Sequence, residues 1–237
     1  MNREYHRWYS HSLGRDMELL SFGHAGTPVL VFPTSMGRFF EYEDRGMVGA
    51  LESKIDEGWI SLFCVDSIDQ ESWYNLHAHP FERVARHLAY ERYLLAEVLP
   101  LTHRLRARPE HRIIATGCSL GAFHATLLAL RQPSEVLKLV SLSGKYENSS
   151  FLDGHSDFDS YLTNPLAFVP GLSEGPELEA IRAIELNIVT GSTDPHVLEA
   201  RELSRVLWDK SVPNVLDVWD GWVHDWPYWQ QMIVKYL

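Results

Sequence analysis

A pentapeptide in the middle of the chain has the residue types and spacing of a catalytic serine. The string GCSLG at residues 117–121 matches the pattern G-x-S-x-G. In enzymes with this pattern, the serine stands on a sharp turn between a strand and a helix, and its hydroxyl is exposed at the edge of a sheet. The pentapeptide alone is a weak signal, but an apolar run at residues 112–116 precedes it and an amphipathic helical pattern follows it. We therefore predict that Ser119 is a nucleophile and that the N–H of Leu120 donates to the oxyanion.

A serine hydroxyl is barely ionised near neutral pH, so this nucleophile requires a base. In enzymes with this turn, the partners follow in the chain order serine, acid, histidine. Of the twelve histidines, only His196 and His224 lie beyond the strand pattern that ends at Thr190, and only His224 follows the last strand pattern. We therefore predict His224 as the general base.

Asp194 is the predicted acid. It comes directly after the apolar run at residues 186–190 and would stand at the carboxyl edge of the sheet, within reach of His224. There it would accept a hydrogen bond from the imidazole, fix the tautomer and stabilise the imidazolium. Its position before Pro195 also fits a helix N-cap or a turn. Asp220 is the competing candidate for the acid.

The second oxyanion donor is expected on the loop that follows the apolar run at residues 28–32. A backbone N–H at Ser35 or Met36 is the candidate, and the sequence leaves that choice open. Pro33 has no N–H to donate. One such donor contributes about 10²–10³-fold to the rate of comparable enzymes, so the loop matters to the activity.

Residues after a second apolar run, at positions 59–65, are candidate walls of the substrate pocket. Trp73 and Tyr74 should lie near the cleft, and Met36 is a third candidate. Packing in the core is an equally good explanation of the two aromatic residues. The pair at residues 77 and 79 consists of histidines, but no nearby cysteine completes a set of ligands, so we predict no metal.

The elements that must position these residues alternate between short apolar strands and longer helical patterns. Strands are predicted at residues 28–32, 59–65, 112–116, 136–141, 186–190 and 214–219, and helices at 49–57, 80–104, after the pentapeptide, at 196–209 and at 226–237. This alternation predicts an α/β fold with a mostly parallel, doubly wound sheet and helices on both faces. Residues 8–22 are predicted to form an antiparallel pair that turns near Gly14.

One segment interrupts the rhythm. Residues 145–177 are rich in Asn, Ser, Asp, Gly and Pro, and they carry several aromatic side chains. We predict that this segment is a small cap over one end of the sheet, within a single domain that spans residues 1–237.

The composition of the chain limits which partners and which cellular compartment we expect for the protein. The chain has 237 residues and a formal net charge of -11, from 21 Lys+Arg against 32 Asp+Glu. Such an acidic balance disfavours binding to nucleic acid and to anionic membranes. We find no signal-peptide pattern and no apolar run of the ~18–20 residues that a membrane span needs. Cys64 and Cys118 lie in or beside strand patterns, which predicts two buried thiols and a cytoplasmic protein. A homodimer is the default expectation.

Three strings resemble a known family. SLGRDMELL at residues 12–20, GCSLGAFHA at residues 117–125 and HDWPYW at residues 224–229 occur in the order of that family, and the last resembles its H-x-W-x-x-W. The family comprises α/β-hydrolase esterases related to esterase D (S-formylglutathione hydrolase) and to the mycobacterial mycolyltransferases. Pro33-Thr34 replaces the His-Gly or Asp-Gly that is usual after the third strand, and the chain is rather short for the family.

The resemblance implies an α/β-hydrolase sheet, no cofactor, Ser119 as nucleophile, Leu120 as oxyanion donor, Asp194 as acid and His224 as base. The expected activity is hydrolysis of a small carboxylic ester through an acyl-enzyme, and the aromatic cap suggests an apolar acyl or alcohol group. An acyltransferase on the same triad is one alternative. The other is a catalytically idle α/β-hydrolase that serves as a binding or scaffold module.

Overall fold

Eight strands form one sheet at the centre of the protein in the computed structural model, which describes residues 1–106 and 112–237. The strands are β1 (Arg3–Ser10), β2 (Arg15–Phe22), β3 (Thr27–Phe32), β4 (Ile60–Val65), β5 (Ile113–Cys118), β6 (Val136–Leu142), β7 (Glu185–Gly191) and β8 (Asn214–Trp219). Their spatial order is β1-β2-β4-β3-β5-β6-β7-β8. Strands β3 to β8 are parallel, and β1 and β2 add an antiparallel hairpin at one edge. The predicted mostly parallel sheet is confirmed.

The central strands are apolar along their whole length because both faces of the sheet are covered. In β3, Leu30 and Phe32 point into one hydrophobic core, whereas Val29 and Val31 point into another on the opposite face. A strand buried on both faces loses the alternation of polar and apolar residues. The edge strand β1 alternates between exposed and partly buried residues, as expected where one face meets solvent.

Helices on both faces supply those two cores. They are α1 (Glu41–Asp44), α2 (Met47–Ala50), α3 (Glu52–Asp56), α4 (Pro80–Tyr93), α5 (Leu99–Arg106), α6 (Leu120–Arg131), α7 (Phe158–Leu162), α8 (Pro165–Phe168), α9 (Pro176–Arg182), α10 (Val197–Asp209) and α11 (Trp226–Tyr236). The core on one face takes in residues of α4, α6 and α10, and the core on the other takes in residues of α2, α3 and α11. The doubly wound architecture predicted from the alternating pattern is therefore present.

Two helices differ from their prediction. The single helix expected at residues 49–57 is divided into α2 and α3 at Leu51, whose backbone leaves the helical region at φ -102° and ψ 4°. The helix expected at residues 80–104 contains a π-helical turn at Leu94–Val98 between α4 and α5. Pro100 lies just beyond that turn and has no N–H for the carbonyl four residues earlier, which weakens regular α-helical bonding there.

Residues 145–177 form short helical pieces, and they include α7 and α8. Arg131 Nη1, on α6, donates to the carbonyl of Leu162 at 2.7 Å, and Asn148 Nδ2 donates to the carbonyl of Ser160 at 2.9 Å. These bonds fasten the segment to the domain and to itself. Its role as a cap stays a prediction.

The two cysteines are free and buried, Cys64 in β4 and Cys118 at the end of β5. Burial raises the pKa of both thiols well above the usual value. The prediction of two buried thiols is confirmed. Among the described residues, no helix combines the length and the apolar character that crossing a membrane requires.

Candidate active site

Ser119 occupies a strained turn between β5 and α6. Its φ of 56° and ψ of -119° lie outside the regions that side-chain-bearing residues usually adopt. Such a conformation costs on the order of 1–3 kcal/mol and persists where the surroundings enforce it. The N–H of Ser119 donates to the carbonyl of Leu142 at 2.9 Å, which ties the turn to β6. The side chain is thereby raised at the carboxyl edge of the sheet, as the G-x-S-x-G pattern requires.

The glycines on either side of this serine are required by close packing. A Cβ on Gly117 would lie 2.3 Å from the carbonyl carbon of Gly121, and one on Gly121 would lie 2.5 Å from the carbonyl oxygens of both Phe32 and Pro33. These distances are far below van der Waals contact. Gly121 therefore allows α6 to approach the loop that follows β3.

We expect Gly121→Ala to lower the free energy of unfolding by about 1–3 kcal/mol, the usual cost of overpacking a well-packed site. Urea denaturation followed by circular dichroism measures the loss. Gly49→Ala is the matched control, because Gly49 lies in the helix α2 and an added methyl group would meet nothing within 4 Å. Equal stability of the two variants would show that the packing at Gly121 is not tight.

Asp194 lies directly after β7 and contacts His224 in the loop between β8 and α11. Its Oδ2 is 2.9 Å from Nδ1 of His224, and its Oδ1 accepts the N–H of His196 at 2.8 Å. The residue is only 2% exposed. Burial opposes ionisation of the carboxyl group, but the hydrogen bonds from His224 and from the N–H of His196 outweigh that effect and lower the pKa of Asp194. Asp194 therefore combines the two roles considered for it, holding an imidazole and closing a turn.

Two other carboxylates lie near His224 in sequence, Asp220 and Asp225, and neither is hydrogen-bonded to the imidazole in the described part of the chain. Asp225 caps α11, where its Oδ1 accepts the N–H of Trp226 at 2.7 Å. Asp220 is exposed, and within the described residues it makes no hydrogen bond to His224. Of the candidate acids, the structure brings only Asp194 to His224.

The tryptophans after His224 hold its ring in place. Trp229 meets the imidazole edge-on with 5.2 Å between ring centroids, and Trp226 meets Trp229 edge-on at 5.0 Å. Trp229 Nε1 donates to Oγ of Ser143 at 3.1 Å, which anchors the indole to the end of β6. The spacing H-x-W-x-x-W thus describes a packing unit that orients the histidine.

Ser119 and His224 are not hydrogen-bonded in this structure. Throughout residues 1–106 and 112–237, no hydrogen bond involves the Ser119 hydroxyl. Bonds between a nucleophile and its base are often long or poorly aligned before substrate binds. The described geometry therefore contains the contact between Asp194 and His224, whereas a hydrogen bond between His224 and Ser119 requires a movement of either side chain.

Within residues 33–37 of the loop after β3, three N–H groups donate to partners in the described part of the chain. Thr34 N–H donates to Glu41 at 2.8 Å, Met36 N–H to Asp69 at 2.9 Å, and Gly37 N–H to the carbonyl of Thr34 at 2.9 Å. The N–H of Ser35 has no partner in the described part of the chain. The sequence left the second donor open between Ser35 and Met36. The N–H of Ser35 is now the better candidate, because the N–H of Met36 already donates to Asp69.

A cavity of about 340 Å³ joins this loop to the serine turn. It is lined by Ser35, Tyr74, Ser119, Leu120, Lys145, Ser150, Phe151 and His196. The N–H of Leu120, at the start of the twelve-residue helix α6, likewise has no partner among the described residues. The cavity therefore combines the predicted nucleophile with two free backbone donors.

The three predicted wall residues have different places. Tyr74 lines the cavity, and its hydroxyl donates to Oγ of Ser35 at 3.0 Å. Trp73 is not among the lining residues: its indole is fully buried, 5.5 Å from the ring of Phe151 and 5.9 Å from that of Phe123, which agrees with the alternative of packing in the core. The side chain of Met36 lines a separate cavity of about 120 Å³.

Four lining residues were not predicted. Lys145 and His196 follow the carboxyl ends of β6 and β7, and Ser150 and Phe151 lie in the first part of the segment 145–177. The carboxyl ends of parallel strands meet at one edge of the sheet, so the positions of Lys145 and His196 are a signal that could have identified them. The ring of His196 lies 6.0 Å from that of His224, which places His224 beside the cavity.

Comparison with known proteins identifies a family for this chain and several proteins with a similar fold. The profile of the family described as "Putative esterase" matches residues 61–237. A ferulic acid esterase has a similar structure, with a TM-score of 0.79, 14% identity and coverage of 99% of this chain and 95% of that one. An S-formylglutathione hydrolase from Agrobacterium tumefaciens has a TM-score of 0.75 and 14% identity, with coverage of 98% of this chain and 92% of that one. MPT51 (FbpC1) from Mycobacterium tuberculosis has a TM-score of 0.68 and 17% identity, with coverage of 99% of this chain and 96% of that one.

Among curated proteins, none matches this chain in sequence. The low identities mean that the structural neighbours establish the fold, which is that of the α/β-hydrolases. The match to the family profile confirms the resemblance drawn from the three sequence strings.

Proposed function

The chain belongs to this family of esterases, and from that premise we propose that it hydrolyses carboxylic esters through an acyl-enzyme on Ser119. The observation that carries the proposal is the hydrogen bond between the buried carboxylate of Asp194 and Nδ1 of His224, beside the strained turn of Ser119. A histidine held in this way is the base that a serine nucleophile needs.

The proposed mechanism gives each proton transfer a direction. Because Asp194 occupies Nδ1, the proton of the Ser119 hydroxyl is taken up by Nε2 of His224 as the oxygen attacks the ester carbonyl. The imidazolium then returns the proton to the departing alkoxide. Water, activated by the same nitrogen, releases the acid from Ser119 and restores the enzyme.

The developing oxyanion is expected to bind to the free N–H groups of Leu120 and Ser35. Both belong to residues that line the cavity with Ser119. The N-terminus of α6 adds the positive end of a helix dipole at the point where negative charge appears. Backbone donors fixed before the reaction stabilise such charge more than mobile water does.

The cleft suits a neutral ester with an apolar or aromatic group. Tyr74 and Phe151 contribute aromatic surface to its lining. Its lysine is already paired, Lys145 with Glu147 at 2.5 Å, and Nδ1 of His196 is hydrogen-bonded to Glu199 at 2.9 Å. A paired cation attracts an anionic substrate weakly. One structural neighbour is a ferulic acid esterase, and an aryl group of that kind could pack against Phe151.

We expect kcat/KM for p-nitrophenyl esters to rise from acetate to butyrate and to an aryl ester, and Phe151→Ala to lower it about tenfold for the larger esters alone. Steady-state hydrolysis across the series measures both effects. Phe158→Ala is the matched control, because Phe158 lies in the same segment but is 71% exposed and outside the cleft.

A flat profile across the series would contradict the assignment of an apolar pocket. If an added alcohol yields a transesterified product faster than hydrolysis proceeds, the protein is an acyltransferase instead. Absence of turnover with every ester, together with absence of covalent labelling, would refute the proposed function.

A further inference from the structure

A buried carboxylate–imidazole pair connects the two parts of the site that carry the free N–H groups. Asp69, in the turn after β4, is 1% exposed, and His124, on α6, is 4% exposed. Nε2 of His124 lies 3.1 Å from Oδ1 of Asp69, and Oδ2 of Asp69 accepts the N–H of Met36 at 2.9 Å. One carboxylate therefore binds both the loop after β3 and the helix after the nucleophile.

On the loop side, this bond holds a strained residue. Met36 has a φ of 57°, in the left-handed region that non-glycine residues rarely adopt. A residue there tends to relax unless its surroundings fix it. The N–H of Met36 belongs to the peptide unit that follows Ser35, and this unit is joined at the Cα of Ser35 to the one that carries the free N–H of Ser35, so the bond to Asp69 fixes one side of that residue.

On the helix side, His124 lies one turn beyond Leu120, and α-helical geometry makes that separation rigid. The ring of His124 is stacked against Phe32 and His87, with centroid distances of 6.0 and 5.4 Å. A shift of Asp69 would therefore change the position of the loop that presents Ser35 relative to the helix that presents Leu120.

A pair that only stabilised the core would have no need to bind the strained peptide beside Ser35. Asp69 divides its two oxygens between Met36 and His124 and so bridges the two donors across the cleft. The proposed mechanism uses neither side chain for proton transfer, since the acid and base are Asp194 and His224.

We propose that Asp69 and His124 are positioning residues that set the separation and direction of the two oxyanion donors, Ser35 N–H and Leu120 N–H. This inference rests on the proposed function. It assigns to the pair an effect on the reaction that depends on the charge of the oxyanion and is largely absent when the attacked group accepts hydrogen bonds poorly.

The test compares a p-nitrophenyl ester with its thionoester, in which sulfur replaces the carbonyl oxygen and is a weaker hydrogen-bond acceptor. For Asp69→Ala we expect kcat for the oxygen ester to fall about 10–100-fold. This is a smaller fall in kcat than the removal of a whole oxyanion donor causes, which is about 10²–10³-fold. KM should change little, and the thionoester rate should fall much less. Asp69→Asn keeps an oxygen for the N–H of Met36 and should restore most of the oxygen-to-sulfur rate ratio.

Thr126→Val is the matched control. Thr126 is buried on the same helix, and its hydroxyl donates to the carbonyl of Ala122 at 2.7 Å without touching the loop. We expect this variant to lose thermal stability and to keep the rate ratio of the native protein. Should Asp69→Ala fail to fold, His124→Phe retains a ring against Phe32 and removes the donor to Asp69, and it should also lower the ratio.

If the folded variants lose both rates equally, so that the oxygen-to-sulfur rate ratio is unchanged, the positioning role is overturned and the pair is a structural contact alone. Failure of the proposed function would look different, because the native protein itself would then show neither turnover nor labelling by a fluorophosphonate.

Discussion

Replacing Ser119 with alanine is expected to abolish labelling by a fluorophosphonate and to lower ester hydrolysis on the order of 10⁴–10⁶-fold, as loss of the nucleophile does in comparable enzymes. The reason is that the acyl-enzyme forms on this oxygen, and a methyl group cannot replace it. Intact-mass measurement should show one adduct on the native protein and none on Ser119→Ala.

Ser211→Ala is the matched control for this experiment. Ser211 has the same φ of 56° as Ser119, but it is exposed on the surface after α10. Its loss should leave the adduct and the turnover unchanged. An adduct that persists in Ser119→Ala would identify another nucleophile, and a native protein that forms no adduct would favour the idle scaffold.

Changing Asp194 to asparagine is expected to lower kcat by about 10⁴-fold while the protein stays folded. The amide can still accept the N–H of His196 through Oδ1, so the turn after β7 is preserved. Its NH₂ group, however, would donate to Nδ1 of His224 and place the imidazole proton on Nε2. That nitrogen could then no longer take the proton of Ser119.

Asp220→Asn provides the comparison, because Asp220 is the other carboxylate that the sequence offered as an acid. It is exposed and does not bind His224 among the described residues, so its loss should change kcat less than about twofold. Steady-state kinetics of the two variants, with circular dichroism to verify folding, decides between them. A larger loss in Asp220→Asn would refute the assignment of Asp194.

Much of the fold could be predicted because burial on both faces gives the central strands a simple signature. The apolar runs predicted β3, β4 and β5 to within two residues at each end. The helices were harder, since periodicity alone does not show that backbone geometry changes at Leu51 or that Pro100 accompanies a π-helical turn.

The candidate site, too, was predictable in part. The positions of Asp194 and His224 after successive strands were enough to predict that they meet, because both strands end at one edge of the sheet. The choice between Ser35 and Met36 depends on a hydrogen bond to Asp69, 33 residues away, which no local pattern reveals. The place of Trp73, wall or core, was left open for a related reason: the side to which a turn residue points depends on packing against distant helices.

The buried thiols have a consequence for how the protein meets oxidants. Cys118 precedes the nucleophile directly, yet it is enclosed by the core, and burial raises the pKa of its thiol as it does that of Cys64. Oxidation and alkylation proceed through the exposed thiolate, so both sulfurs are protected twice, by inaccessibility and by protonation. The hydroxyl chemistry proposed for this cleft is therefore insulated from the redox state of its surroundings, in oxidising and reducing media alike.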